Sequence, residues 1–346
     1  MKIKTLAVLL IVMLTISCKT VQISIQVMKP AQITLPSDVK TIAFVNRSLP
    51  DKKDRLRNVL EGAITGEAVF ADRLGSEECI KGVIDGLNGS PRLKGIIPSG
   101  IDIRGTGTRQ FPEPLDWTTV EKICNNNGAE ALACLEVFDS NCHTGITNRN
   151  VTKKEKDKEI TYVVFDARLN VDIESGWRIY FPAEQKIIDQ NIYNDSKTWV
   201  NSGDAPKKAE HGLPMKDNAV SQSGFYAGNQ YAMRISPRWI WVSRVYYKKG
   251  NQDFEQAKRM VQTNDWKGAA ELWQKNVNDS DLKIAGYACY NMALASEMDG
   301  NLETAIDWAK KAYVDFKNNK ALTYKNILQR RLNDQYQLDE QMKGVE

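Results

Sequence analysis

The chain has 346 residues, 42% of them hydrophobic and 26% charged, with a net charge of +4 and a mean hydropathy of −0.44. That composition is ordinary for a folded soluble body, and the length suffices for two domains. The charge is too balanced to point to nucleic acid.

The first segment, Met1–Thr20, reads MKIKTLAVLLIVMLTISCKT. Lys2 and Lys4 make a basic start, Leu6–Leu14 is unbroken apolar, and Thr15-Ile16-Ser17 leads into Cys18. The apolar run falls short of the roughly 20 residues of a bilayer span and has the flanks of an export signal. It resembles the bacterial lipobox, with Ser17 as the small residue before the cysteine and Thr15 where leucine is usual. The resemblance implies cleavage before Cys18, acylation of Cys18 and attachment to the membrane through that lipid anchor. Lys19-Thr20-Val21 follows with no acid, where surface-exported lipoproteins of the kind it resembles often carry acidic residues, so the resemblance implies the periplasmic face of the outer membrane rather than the cell surface. Loss of the signal with Lys2 and Lys4 leaves a chain near +2.

Residues 18–37 read as a tether, within which Val21–Val27 alternates as a strand would. Lys40–Asn46 has a strand's length. Asp54–Leu74 has helical spacing, and Ser76–Leu87 reads as a further helix with Ser76 as N-cap. Gly95–Ile103 is expected as a strand and Gly105–Pro114 as a loop. A helix starting at Asp116 or Thr118 ends near Asn125-Asn126-Asn127-Gly128, and Ala131–Phe138 is a buried strand. Strands alternating with helices argue an α/β domain with partly parallel pairing.

Asn148–Glu159 is a charge run expected as a solvated hairpin loop. Tyr162–Ile173, Trp177–Tyr180 and Lys186–Tyr193 read as antiparallel strands extending the same sheet, with turns at Gly176 and near Pro182. Residues 195–215 read as loop. Asn218–Met233 reads as a helix stopped by Pro237, and Arg238–Tyr247 as a last strand or the entry to the next helix.

From Gly286 to Asn319 the sequence GYACYNMALASEMDGNLETAIDWAKKAYVDFKNN resembles a tetratricopeptide repeat. Ala293 and Ala305 take the small positions of its two helices, Gly300 the turn, and Ala312 closes the unit; Ser296 and Lys317 depart from the pattern. Ala257, Asp265-Trp266 and Ala269 mark an earlier copy, and Ala269 to Ala305 is 36 residues. Ala321–Glu340, with Tyr324, Leu328, Leu332 and Tyr336, reads as a capping helix. The resemblance implies a groove for a protein partner, faced by Phe254, Lys258 and Val261 on the first copy and by Tyr287, Tyr290, Asn291, Leu294 and Glu297 on the second.

Candidates for chemistry are weak. His143 and His211, the only histidines, stand in unlike contexts, and no H-E-x-x-H, G-x-S-x-G or Walker pattern occurs. Cys124, Cys134, Cys142 and His143 lack the paired spacing of a zinc site, so no metal and no cofactor is expected. Cys134 and Cys142 share one strand, and eight extended residues span roughly 26 Å, too far for a disulfide. Cys124 with either stays open, and most of the five, Cys79 and Cys289 included, read as isolated core cysteines. Gly105–Arg109 lacks the setting of an anion cradle, and Asp166 and Asp172 are too ordinary to assign glycosidase roles.

The signal with Cys18, LPSDVKTIAFVNRS, EGAITGEAVFADR, PLDWTTVEKIC and ALACLEVFDS together resemble an uncharacterised family of Bacteroidota envelope lipoproteins whose function is unknown. More distantly, Lys40–Asn46 and Gly128–Val137 are similar to the α/β domain of curli-secretion and penicillin-binding-protein activator lipoproteins, a likeness of fold alone. The expected organisation is a signal over 1–17, the tether, a mixed-sheet α/β domain over 38–247 and an all-α tetratricopeptide-like repeat domain with its cap over 248–346. The expected function is that of a non-enzymatic envelope scaffold with a protein partner. A cell-wall glycan ligand, met by Trp239, Trp241, Tyr246 and Tyr247, is the alternative, followed by a hydrolase with an unrecognised site.

Overall fold

The computed structural model describes residues 19–50, 66–107, 109–155 and 158–345. Cys18, and the part of the expected Asp54–Leu74 helix before residue 66, lie outside the described residues. The fold is mixed α/β, with a mixed sheet followed by a run of helices. Two compact units are present: one holds the described residues of Met28–Trp239 with Gln337–Glu346, the other those up to Val27 with Ile240–Tyr336.

The sheet unit contains β2 (Thr41–Asn46), β3 (Lys94–Ile96), β4 (Ala131–Glu155), β5 (Lys158–Phe181) and β6 (Lys186–Gly203), in the order β3-β2-β4-β5-β6. β2 pairs in parallel with β3 and β4, while β4, β5 and β6 form an antiparallel meander. Parallel neighbours need long crossovers; these carry α1 (Gly66–Leu87) and α2 (Trp117–Asn127). Alternation along β2 sends Ile42 and Phe44 into the larger core and Ala43 and Val45 into a smaller one. Burial of both faces is why β2 reads as a continuous apolar run.

The larger core lies under α1 and α4 (Lys216–Ile235), where Trp177 stacks on Tyr231 at 4.2 Å and meets Phe44 edge-on. The smaller core lies under α2, with Val120, Ile123 and Cys124 against Leu132 and Tyr180. Helix α2 starts and ends as its sequence asks. Asp116 accepts from the Thr119 N–H at 2.9 Å, and Gly128 closes the helix in the left-handed region at φ 61°.

Several expectations fail for local reasons. Ser76 does not cap a helix, because α1 runs through it; its buried hydroxyl donates to Arg73 O and accepts from Asn46 Nδ2, both at 2.9 Å. The preceding Gly75 serves packing, since a Cβ there would lie 2.7 Å from the Phe138 ring and 2.9 Å from Val220 of α4. The expected Gly95–Ile103 strand shrinks to β3, which pairs only with Thr41–Ala43 before Pro98 and Gly100 (φ 72°) turn the chain away. The charge run is no loop up to Glu155: β4 continues to that residue, with Thr152 paired to Thr161 and Arg149 to Asp166. Its polar character reflects a ribbon exposed along most of that stretch, where alternation has no core to report. Gly176 sits inside β5 rather than in a turn, where a Cβ would lie 2.8 Å from Val137 Cβ at a register shift. Much of the expected 195–215 loop is strand, since β6 continues to Gly203, and a short helix, α3 (Pro206–His211), follows.

In the other unit, β1 (Thr20–Lys29) and β7 (Arg238–Tyr247) pair as a two-stranded ribbon, so a strand occupies the range read as a tether. Its end is closed by the Lys248 N–H donating to Lys19 O at 3.0 Å. Four helices follow as two hairpins, α5 (Gln252–Gln262) with α6 (Trp266–Lys275) and α7 (Leu282–Met298) with α8 (Leu302–Val314), and then α9 (Asn319–Gln341). Asn251, Asp265, Asp281 and Asn301 each cap one helix through the side chain. Ala257, Ala269, Ala293 and Ala305 are fully buried, which lets paired helices approach closely.

Candidate functional site

Helices α5 and α7 lead the two hairpins and carry all eight residues expected to face a partner groove. Phe254, Tyr290, Asn291, Leu294 and Glu297 are buried, and Lys258, Val261 and Tyr287 are half-buried. The inner face of α7 is closed by the chain's own strand β7 and helix α9. The Asn291 side-chain amide clasps Tyr247, accepting from its N–H at 2.8 Å and donating to its carbonyl at 2.7 Å. The Tyr247 ring stacks on Tyr287 at 3.9 Å and meets Tyr290 edge-on at 5.3 Å, while Tyr290 also packs on Tyr324 of α9.

Glu297 is the electrostatic centre of this face. Arg244 of β7 donates to both carboxylate oxygens, at 2.8 and 2.7 Å. The Tyr324 hydroxyl donates at 2.5 Å and Arg331 at 2.6 Å. Burial alone would raise the carboxyl's pKa, but the Arg244 hydrogen bonds and charge, with Tyr324 and Arg331, pull it below its ordinary value. The same anion pushes the Tyr324 hydroxyl up, after the larger effect of burial. The arrangement grips an extended strand by its backbone and by one arginine, which is peptide-recognition chemistry applied to the chain's own segment.

The sheet unit holds a second buried carboxylate that sequence reasoning missed. Glu136 of β4 is fully buried and receives Arg47 at 3.1 and 3.2 Å, Arg178 at 3.1 Å and the Tyr180 hydroxyl at 3.1 Å. Burial raises its pKa, and the two arginines reverse only part of that. Its signal was a lone acid inside the apolar run ALACLEVF, a position that requires a charged partner. The network joins Arg47, the residue after β2, to β4 and β5 and meets the Gly105–Pro114 loop where Arg178 donates to Pro112 O at 3.1 Å.

The remaining sequence candidates are dispersed. Cys124 and Cys134 sit in the smaller core, Cys79 in the larger one and Cys289 among the helices. With half-buried Cys142, all five described cysteines are free. His143 is exposed, 3.9 Å from Asp172. Asp166 is engaged by Arg149 at 2.7 Å and Ser202 at 2.5 Å on the strand surface. Gly105 is held by backbone bonding to Leu49 O at 3.0 Å, and Arg109 pairs with Asp139. Among the described residues no group of His, Cys, Asp and Glu is arranged to hold a metal ion, and no helix is long and apolar enough to cross a membrane.

A family model described as Domain of unknown function (DUF8603) matches residues 39–247. A second, described as Domain of unknown function (DUF6340), matches residues 255–330. No curated protein matches the chain.

Proposed function

The chain belongs to the family described as Domain of unknown function (DUF8603), and on that premise we propose that it is a non-enzymatic envelope lipoprotein. It is anchored by acylated Cys18 to the periplasmic face of the outer membrane, and its tetratricopeptide-like helical unit engages a protein partner. The observation that carries the reading is the N-terminus itself: the Met1–Thr20 signal pattern ends at Cys18, and strand β1 begins at Thr20. Only Lys19 separates the anchor from folded structure, so the lipid holds the helical unit at the bilayer without a spacer. Several acyl chains, at ~0.8 kcal/mol per buried methylene, make such attachment stable.

The repeat reading is supported by two hairpins whose buried alanines recur 36 residues apart, Ala257 with Ala293 and Ala269 with Ala305. Because strand β7 already fills the inner face, the partner meets the exposed apolar side chains of the helices, among them Leu282, Val314 and Leu322. A second reading, binding of cell-wall glycan, draws on Trp241, whose indole is 67% exposed on β7.

Radiolabelled palmitate should enter the wild-type protein and not the Cys18→Ala form; an unlabelled wild type removes the anchor. Digestion by protease added to intact cells would contradict the periplasmic orientation. Affinity capture from envelope extracts should return a protein on the full chain that is lost on a Leu282→Asp, Val314→Asp, Leu322→Asp variant. An unchanged set counts against the helical unit as the docking surface. Retention on a glycan resin that Trp241→Ala abolishes would favour the second reading.

A further inference from the structure

Beside the Tyr247–Tyr287 stack lies a cavity of about 250 Å³ lined by both rings, Phe316 and the lysines Lys283, Lys317 and Lys320, with no acidic side chain in its wall. Lys320 lies over the Tyr247 ring at 5.8 Å, and Lys19 lies over Tyr287 at 5.9 Å. Asp281 and Asp315 stand two residues from Lys283 and Lys317 and do not line the cavity. Among the described residues, no ion pair engages Lys283, Lys317 or Lys320. Lys317 holds a left-handed backbone at φ 53°, a conformation that a glycine adopts more readily, at the turn between α8 and α9.

We infer that this pocket seats the phosphoryl headgroup of an anionic membrane phospholipid. Three lysines with no neutralising partner supply the cationic wall, and the paired tyrosines supply an amphipathic floor of the kind that suits the membrane–water boundary. Position selects a lipid over a soluble phosphate. Lys19, which reaches Tyr287, is the residue after Cys18, and consecutive Cα atoms are about 3.8 Å apart. The inference therefore rests on the lipid-anchor reading, and it adds a second, orienting contact to that attachment.

The test uses the processed chain with Cys18→Ser, so that no acyl chain can hold it. Co-sedimentation with phosphatidylcholine vesicles containing phosphatidylglycerol should exceed that with phosphatidylcholine alone. The triple variant Lys283→Gln, Lys317→Gln, Lys320→Gln should weaken it by roughly fivefold per lysine. Arginine at the same three positions should restore it, which separates charge from misfolding. A control variant, Lys153→Gln, Lys154→Gln, Lys158→Gln on the β4–β5 hairpin, removes equal charge and should bind as wild type. Equal losses in both triple variants, or no preference for the anionic vesicles, would overturn the pocket. Saturable binding of glycerol phosphate without vesicle binding would assign it to a soluble anion and overturn the membrane role. Palmitate labelling of the wild type is read separately. Label without vesicle binding sinks the pocket alone, and vesicle binding without label sinks the anchor alone.

Discussion

Glu136 in the sheet unit and Glu297 in the helical unit face the same kinds of group: two arginines and a tyrosine hydroxyl. Both are almost fully buried, yet burial raises the pKa of Glu136 while that of Glu297 ends below its ordinary value. Geometry accounts for the difference. The bonds to Glu136 are 3.1–3.2 Å and all three partners crowd one oxygen, the other receiving only the same Arg47 nitrogen. Those to Glu297 are 2.5–2.8 Å, with Arg244 spanning both oxygens. A buried anion is compensated by short, forked hydrogen bonds rather than by the number of cations nearby.

The largest expected effect tests that contrast. Glu297→Gln leaves Arg244 and Arg331 without their anion, and we expect a loss of roughly 3 kcal/mol, toward the lower end for a broken buried pair. Glu136→Gln, where desolvation already opposes the charge, should lose only about 1–2 kcal/mol. The pH dependence should also differ in sign. The lowered pKa of Glu297 gives stability that is present above the ordinary carboxylate value near 4.3 and is lost as pH falls through its folded value. The raised pKa of Glu136 makes stability fall as pH rises through its folded value. Urea unfolding of the wild type and both variants across acid pH reads size and sign together. Equal losses at the two positions would break the comparison.

Asn291 extends the contrast from charge to backbone. Asn291→Leu leaves the buried N–H and carbonyl of Tyr247 without partners, which should cost about 2–3 kcal/mol. Amide exchange at Tyr247 should rise with it; an unchanged exchange rate would mean that the strand is held by ring packing instead.

Asp72 is the counterexample on the sheet side, half-buried and bonded to the Ser140 hydroxyl at 2.5 Å. Burial lifts its pKa to about 6, so its ionisation opposes folding. Stability should fall as pH rises from about 4 to about 6, and Asp72→Asn should remove that slope. Discounted for partial exposure, the variant should gain ~1–2 kcal/mol at pH 7 by thermal unfolding. A loss instead would mean that the carboxylate is needed for the Ser140 contact.

What was legible in the sequence follows from what each pattern reports. Helix hairpins announce themselves because small residues must recur where helices touch, and caps must satisfy free N–H groups. Hence Ala257, Ala293, Asp265 and Gly300 were readable. Lys40–Asn46 and Ala131–Phe138 were readable because parallel strands are buried on both faces. The long β4–β5 ribbon was not, because exposed cross-strand pairs such as Thr152 with Thr161 leave no hydrophobic period. Glu297 and Asn291 were expected to face a partner groove, and they lie buried against β7 and α9. That burial was not legible, because nothing local in the sequence says that β7, some 45 residues earlier, packs on the face they line.

The finest test concerns the turns, where the two hairpins differ by one residue type. Asn264 holds φ 62° at the reversal of the first, and Gly300, 36 residues later, holds φ 80° at the reversal of the second. Nothing lies within 4 Å of a Cβ built on Gly300, so any substitution there pays only in backbone conformation. Asparagine tolerates the left-handed region and alanine does not. Gly300→Asn should therefore cost no more than a few tenths of a kcal/mol and Gly300→Ala about 1 kcal/mol. Gly128 of the sheet unit, at φ 61° and equally open, supplies the control and should rank the same two substitutions identically. If Gly300→Asn unfolds as early as Gly300→Ala while Gly128→Asn does not, the two reversals are not equivalent, and the 36-residue correspondence between the hairpins is fortuitous.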